Sequence, residues 1–206
     1  MNLARRERLA LCDLALQLGP EAPTLCDGWA ARELLAHLLV RERSPLGAPG
    51  IAIAPLSGLT DKAMAAEARR PFPAMVERLR SIGLTPYRLP GIEWLANTVE
   101  YVVHHEDLRR GQADWEPRTL ARADEDTLWR QLGLIGTMAA RQAGIPLVVQ
   151  RADDPTSSKV LLKGDSPVTV TGPPSELILM LSGRHQLRNL EYDGPPERVA
   201  ELKGAY

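Results

Sequence analysis

The feature that most limits what this chain can fold into is a change of hydrophobic period at Ile145. Up to that point apolar residues recur at helical spacing between Gly and Pro stops, whereas beyond it they come in short β-prone runs. Asn2 to Leu18 carries Leu3, Leu9, Leu11, Leu14, Leu16 and Leu18 and is stopped by Gly19-Pro20. A second helix is expected from Ala30 to Arg43, with Glu33 in its first turn, where the macrodipole favours a carboxylate. Asp61 to Arg70 and Pro73 to Ile82 read as helical pieces separated by Pro71 and Pro73. Gly91 to Arg110 reads as a long helix ended by Gly111, and Asp124 to Ala143 as a further helix that closes a bundle. Ser44 to Gly58, rich in Pro, Gly and small residues, reads as an irregular excursion over the rim.

After Ile145, the runs Leu147-Val148-Val149, Val160-Leu161-Leu162 and Val168-Thr169-Val170 are separated by turn signals and predict a three-stranded sheet. Pro174 to Ser182 predicts a helix laid over it. The expectation is an α+β protein: a helical bundle over 1–143 and a small α/β annex over 144–206. About sixty residues rarely stabilise a separate core, so the annex is expected to dock on the bundle.

With 44% hydrophobic residues in 206, the chain can bury a core without disulfides. Its 25 basic and 26 acidic residues leave a net charge of -1 with no basic run, which argues against nucleic-acid binding. No apolar stretch approaches the ~20 residues of a membrane span and no secretory h-region follows Met1, so a cytoplasmic protein is expected. Cys12 and Cys26 are too few for a disulfide framework; Cys12 reads as plain core.

Chemistry concentrates in Glu100-Tyr101-Val102-Val103-His104-His105-Glu106-Asp107. On a helix, Glu100, His104 and Asp107 fall within about 40° of one stripe. A partner is available in His37, a polar group among Leu34, Leu35, Leu38 and Leu39 on the second helix. Two imidazoles and a carboxylate from facing helices form a set suited to zinc, ferrous iron, nickel or manganese. The same residues also read as an ordinary i,i+4 pair plus a hydrogen-bonded core histidine, and spacing alone leans toward that reading. Asp107 is placed behind His104, orienting its ring. His105, about 100° round the helix, is given surface or supporting duty. Arg109 and Arg110 read as a solvated helix end, and Trp29 and Trp94 as core anchors. Cys26 lies eleven residues before His37, about 16 Å along a helix, and is set aside as a ligand.

Taken together, Thr24 to Leu38, with its Cys26-Asp27-Gly28-Trp29 turn and His37, and Glu100-x-x-x-His104-x-x-Asp107-Leu108 downstream resemble the mycothiol-dependent maleylpyruvate isomerase family. Val168 to Glu176 and Ser182-Gly183-Arg184 are similar to that family's C-terminal strand, Gly turn and helix end. The resemblance spans most of the chain and implies a DinB-like metal-binding four-helix bundle. It is nearest to an actinobacterial subgroup described only as metal-binding. Ala30 departs from the Ser or Thr that often opens the second helix there, leaving Glu33 as half a capping box.

The resemblance implies His37, Glu100 and His104 as metal ligands, usually for zinc, and Arg184 as a residue that binds a carboxylate of substrate or thiol cofactor. The activity implied is a mycothiol-using isomerase or S-transferase, with a small thiol and a small electrophile as partners, the thiol supplying a nucleophile the chain lacks. A zinc-water hydrolase uses the same ligands, and a metal-binding protein without turnover is a further class. Whether exposed bundle faces pair into a homodimer stays open.

Overall fold

In the computed structural model, which describes every residue except Leu84 and Pro90 and every other side chain except those of Ala52, Arg88 and Leu134, the first helix is α1 (Leu3–Leu18). Asn2 opens it by accepting from Arg5 N at 2.8 Å, which satisfies one of the amides that a helix start leaves over. The second, α2 (Ala31–Arg43), follows a turn closed by a bridge between Pro23 and Ala30. Ala30 has no side-chain oxygen to offer, so only the Glu33 half of a capping box forms, from Ala30 N to Glu33 Oε2 at 3.1 Å. After α2 come α3 (Pro49–Ala52), a short 3-10 turn at Ala54–Leu56, α4 (Ser57–Ala68), α5 (Phe72–Arg80) and α6 (Ile92–Arg110). The Ser44 to Gly58 excursion is therefore more ordered than its composition predicts.

By contacts the chain divides into two compact units, Met1–Glu116 and Pro117–Tyr206. In the first, Leu11, Cys12 and Ala15 of α1 share one core with Leu34, Leu35, Leu38 and Leu39 of α2, Met75, Val76 and Leu79 of α5, and Tyr101 and Leu108 of α6. The leucines that surround His37 in sequence thus bury together, and the same packing fixes the facing sides of α2 and α6. This core also encloses a buried ion pair: Arg8 reaches Glu42 with both Nη atoms, at 2.7 and 2.6 Å. Tyr101 Oη and Asn97 Nδ2 donate to the same carboxylate, each at 2.9 Å.

The second unit starts with α7 (Arg122–Ala143) and continues with β1 (Leu147–Arg151), β2 (Ser158–Leu162), β3 (Val168–Gly172), α8 (Pro174–Leu181), β4 (Glu191–Asp193) and α9 (Pro196–Ala205). The sheet has four strands in the order β2-β1-β3-β4, with β1 and β3 parallel and both outer pairs antiparallel. The expected three strands are present. β4 and α9 add an edge and a closing helix that composition did not signal. Along β1 and β3 burial alternates, so Leu147, Val149, Val168 and Val170 face inward. The helix α7 packs against α8 and β2. Gly136 permits that approach, since a Cβ there would lie 2.8 Å from Leu161 and 3.1 Å from Leu181. The reading of α7 as the helix that closes the bundle, with a boundary at 143, thus differs from the division by contacts at 116/117. Among the described residues, no helix is long and apolar enough to cross a membrane.

Candidate metal centre

His37 lies mid-way along α2, and Glu100 and His104 stand one turn apart on α6. Glu100 Oε1 lies 3.3 Å from His37 Nε2 and 3.4 Å from His104 Nε2. The two imidazoles meet edge to face with centroids 5.2 Å apart, and Trp29 packs on His37 at 5.1 Å. The three side chains read from the sequence as a set are therefore brought together, with their donor atoms all within 4.8 Å of one another. Four donors around a tetrahedral zinc at 2.0–2.1 Å stand about 3.3 Å apart, so the two histidine–glutamate separations match such a cage. The donor set fits a divalent metal. The His104 and His37 side chains are 10% and 11% exposed and Glu100 is 24% exposed, so access to the cluster is by way of the carboxylate.

Asp107 does what its place one turn beyond His104 suggests. Its Oδ2 lies 2.9 Å from His104 Nδ1. A carboxylate only accepts, so Nδ1 carries a proton, and Nε2 is the nitrogen turned toward Glu100 and His37. Asp107 is fully buried, and its backbone oxygen accepts from Leu25 N at 3.0 Å, which ties the 24–29 turn to α6. That turn delivers Cys26, whose Sγ donates to Asp107 Oδ2 at 3.2 Å and stands 4.0 Å from His104 Nδ1. Distance along α2, the ground for setting Cys26 aside as a ligand, does not foresee this contact. The turn folds back onto α6, so the thiol sits behind His104, on the side away from Glu100.

Electrostatics follow from this packing. Burial pushes the Glu100 carboxyl upward, but hydrogen bonds from His104 and His37 outweigh it and hold the group well below the usual carboxylate range. Burial opposes charge on His104 too, yet Asp107, Cys26 and Glu100 together raise its pKa well above the ordinary value. Arg41 adds a further cation, with Nε 3.2 Å from Glu100 Oε1.

Other expectations need correction. His105 is buried and lies 2.8 Å from Glu7 Oε2, a core contact that joins α6 to α1. Arg110 is likewise buried, bonded to Glu106 at 2.6 Å and stacked over Trp115. Neither belongs to a solvated surface. Arg184 follows Gly183, whose φ of 77° ends α8, and its Nη1 donates to Ser182 O. It also lines a cavity of about 490 Å³ in the second unit with His185, Arg188, Tyr192, Lys203 and Tyr206.

No model of a known protein family matches this chain, and no curated protein matches it in sequence. Among solved structures it is similar to the crystal structure of the mycothiol-dependent maleylpyruvate isomerase, at 16% identity and a TM-score of 0.52, over 93% of this chain and 90% of that one. At that identity the likeness shows a shared α+β fold.

Proposed function

We propose that His37, Glu100 and His104 hold a divalent metal, zinc by the nature of the donors, and that the protein is an isomerase or S-transferase using a small thiol such as mycothiol. The observation that carries this reading is the convergence of two imidazole nitrogens on one carboxylate oxygen across two helices, with Asp107 engaging Nδ1 of His104 so that Nε2 is the nitrogen facing the cluster. The fold shared with a mycothiol-dependent isomerase supports the choice of reaction class. A bound zinc supplies a Lewis acid that keeps a coordinated thiol or water deprotonated near neutral pH.

The chain's own residues do the rest. Asp107 keeps the Nδ1 proton of His104 in place and leaves Nε2 as the donor. Trp29, packed on His37, shields that side of the cluster from water. Arg41 holds Glu100 Oε1 from the open side and restricts the carboxylate to one orientation.

The test is metal content by elemental mass spectrometry on untagged protein, followed by calorimetric titration with mycothiol. Near-stoichiometric metal and saturable thiol binding are expected. Metal without thiol binding contradicts the thiol-dependent activity and leaves a hydrolase or a metal-binding protein. No metal after zinc reconstitution returns the three residues to structural duty.

A further inference from the structure

We propose that the pocket formed by the end of α2, α5, Thr85, Pro86, Tyr87 and Ile92 binds an oxyanion, a carboxylate or phosphate group, through Arg43 and Arg78 with Arg41 beside them. The pocket encloses about 790 Å³ and presents these three arginines together with the hydroxyl-bearing Ser44, Thr85 and Tyr87. The acid in its lining, Glu42, is already spent: its two oxygens accept from both Nη atoms of Arg8, from Asn97 and from Tyr101. The lining therefore holds no acid left over for Arg43, while Arg41 and Arg78 each have a carboxylate partner outside it, Glu100 and Glu67.

Arg43 and Arg78 are incompletely partnered. Arg43 Nη2 donates to Arg78 O at 2.6 Å and to the carbonyl and hydroxyl of Ser81, all neutral acceptors. Its Nε is buried with no acceptor among the described residues, and so is the Nε of Arg78, whose Nη2 reaches Glu67 Oε1 at 3.3 Å. Gly83, at φ 63°, makes room for the Arg43 head, because a Cβ there would lie 2.7 Å from Nη1. Burial, and after it the neighbouring Arg78, lowers the Arg43 pKa, with the charge of Glu42 opposing them. A planar anion offers the paired oxygens that guanidinium groups select, and Arg43, whose hydrogen bonds to Arg78 O and Ser81 all meet neutral acceptors, is the cation of the pocket left for it.

Arg41 joins this pocket to the candidate metal centre through its contact with Glu100, yet the anion site rests on the pocket alone and is independent of metal. The test is calorimetric titration of the metal-free full-length protein at low ionic strength with sodium phosphate and, separately, sodium malonate, against choline chloride as the salt control. Saturable one-to-one binding of at least one of the two is expected, weakened about tenfold or more in Arg78→Gln. Arg43→Gln is expected to do the same. Arg78→Gln decides the matter if Arg43→Gln does not fold, since its side chain is 37% exposed and gives up a partly exposed ion pair. Phosphate binding alone assigns a phosphoryl ligand, and malonate binding alone a carboxylate. Absence of saturable binding by either anion, or an affinity unchanged in Arg78→Gln, would overturn the proposal.

Discussion

Asp107 Oδ2 stands 2.9 Å from His104 Nδ1, and this contact decides which nitrogen of His104 faces the cluster. Removing the negative charge while keeping the shape tests it. Asp107→Asn is expected to fold and to lose about 10- to 100-fold in zinc affinity, measured by competition with a chelating dye. An unchanged affinity would show that His104 is oriented by packing alone.

Proton linkage gives a second prediction. The His104 pKa is raised, so its contribution to stability is complete below the unfolded value near 6.5 and is lost as pH rises through the folded value. Glu100 is depressed, so its contribution is present above about 4.5 and is lost as pH falls. Both are in force between those values. In metal-free protein the difference in melting temperature between wild type and Glu100→Gln is expected to peak in that window. Because a ligand histidine must surrender its proton, zinc binding is also expected to release protons and to tighten with rising pH, which titrations in buffers of different ionisation enthalpy detect.

The buried Arg8–Glu42 pair should be a fragile point of the helical unit. Glu42→Ala leaves a fully buried guanidinium without its carboxylate, and a loss of about 3–5 kcal/mol is expected in urea unfolding. Tyr101 and Asn97 lose an acceptor in the same substitution. A loss below about 1 kcal/mol would mean that water replaces the carboxylate.

The two cysteines should separate by reactivity. Cys12 is wholly buried and burial pushes its thiol up to about 12, so iodoacetamide at pH 8 is expected to spare it in the native protein. Mass spectrometry of the labelled protein should find it modified only after unfolding in urea. Labelling of Cys12 under native conditions would contradict the packing of α1 against α5.

Much of this was legible in the sequence. The step of four from Glu100 to His104 put those two side chains on one face and the leucine spacing put His37 on a buried one, because helical periodicity fixes which side chains share a face. Spacing alone leaned toward an ion pair and a core histidine, and it was the resemblance that joined the three. The apolar face of α7 was equally visible, but amphipathicity says that a helix is covered, not by which layer. Leu161 and Leu181 cover it here. β4, of three residues, and α9, begun by Pro195-Pro196, carry too little periodicity to stand out. Cys26 escaped because its contact with Asp107 spans 81 residues and depends on a turn folding back, which spacing along one helix does not describe.

The most direct test of the central claim is metal content of zinc-reconstituted wild type and His37→Ala, determined alongside their far-ultraviolet circular dichroism. Near-stoichiometric zinc in the wild type, lost in a variant that keeps its helical spectrum, is the result predicted. Equal metal in both, or none in the wild type, would contradict a metal centre at His37, Glu100 and His104.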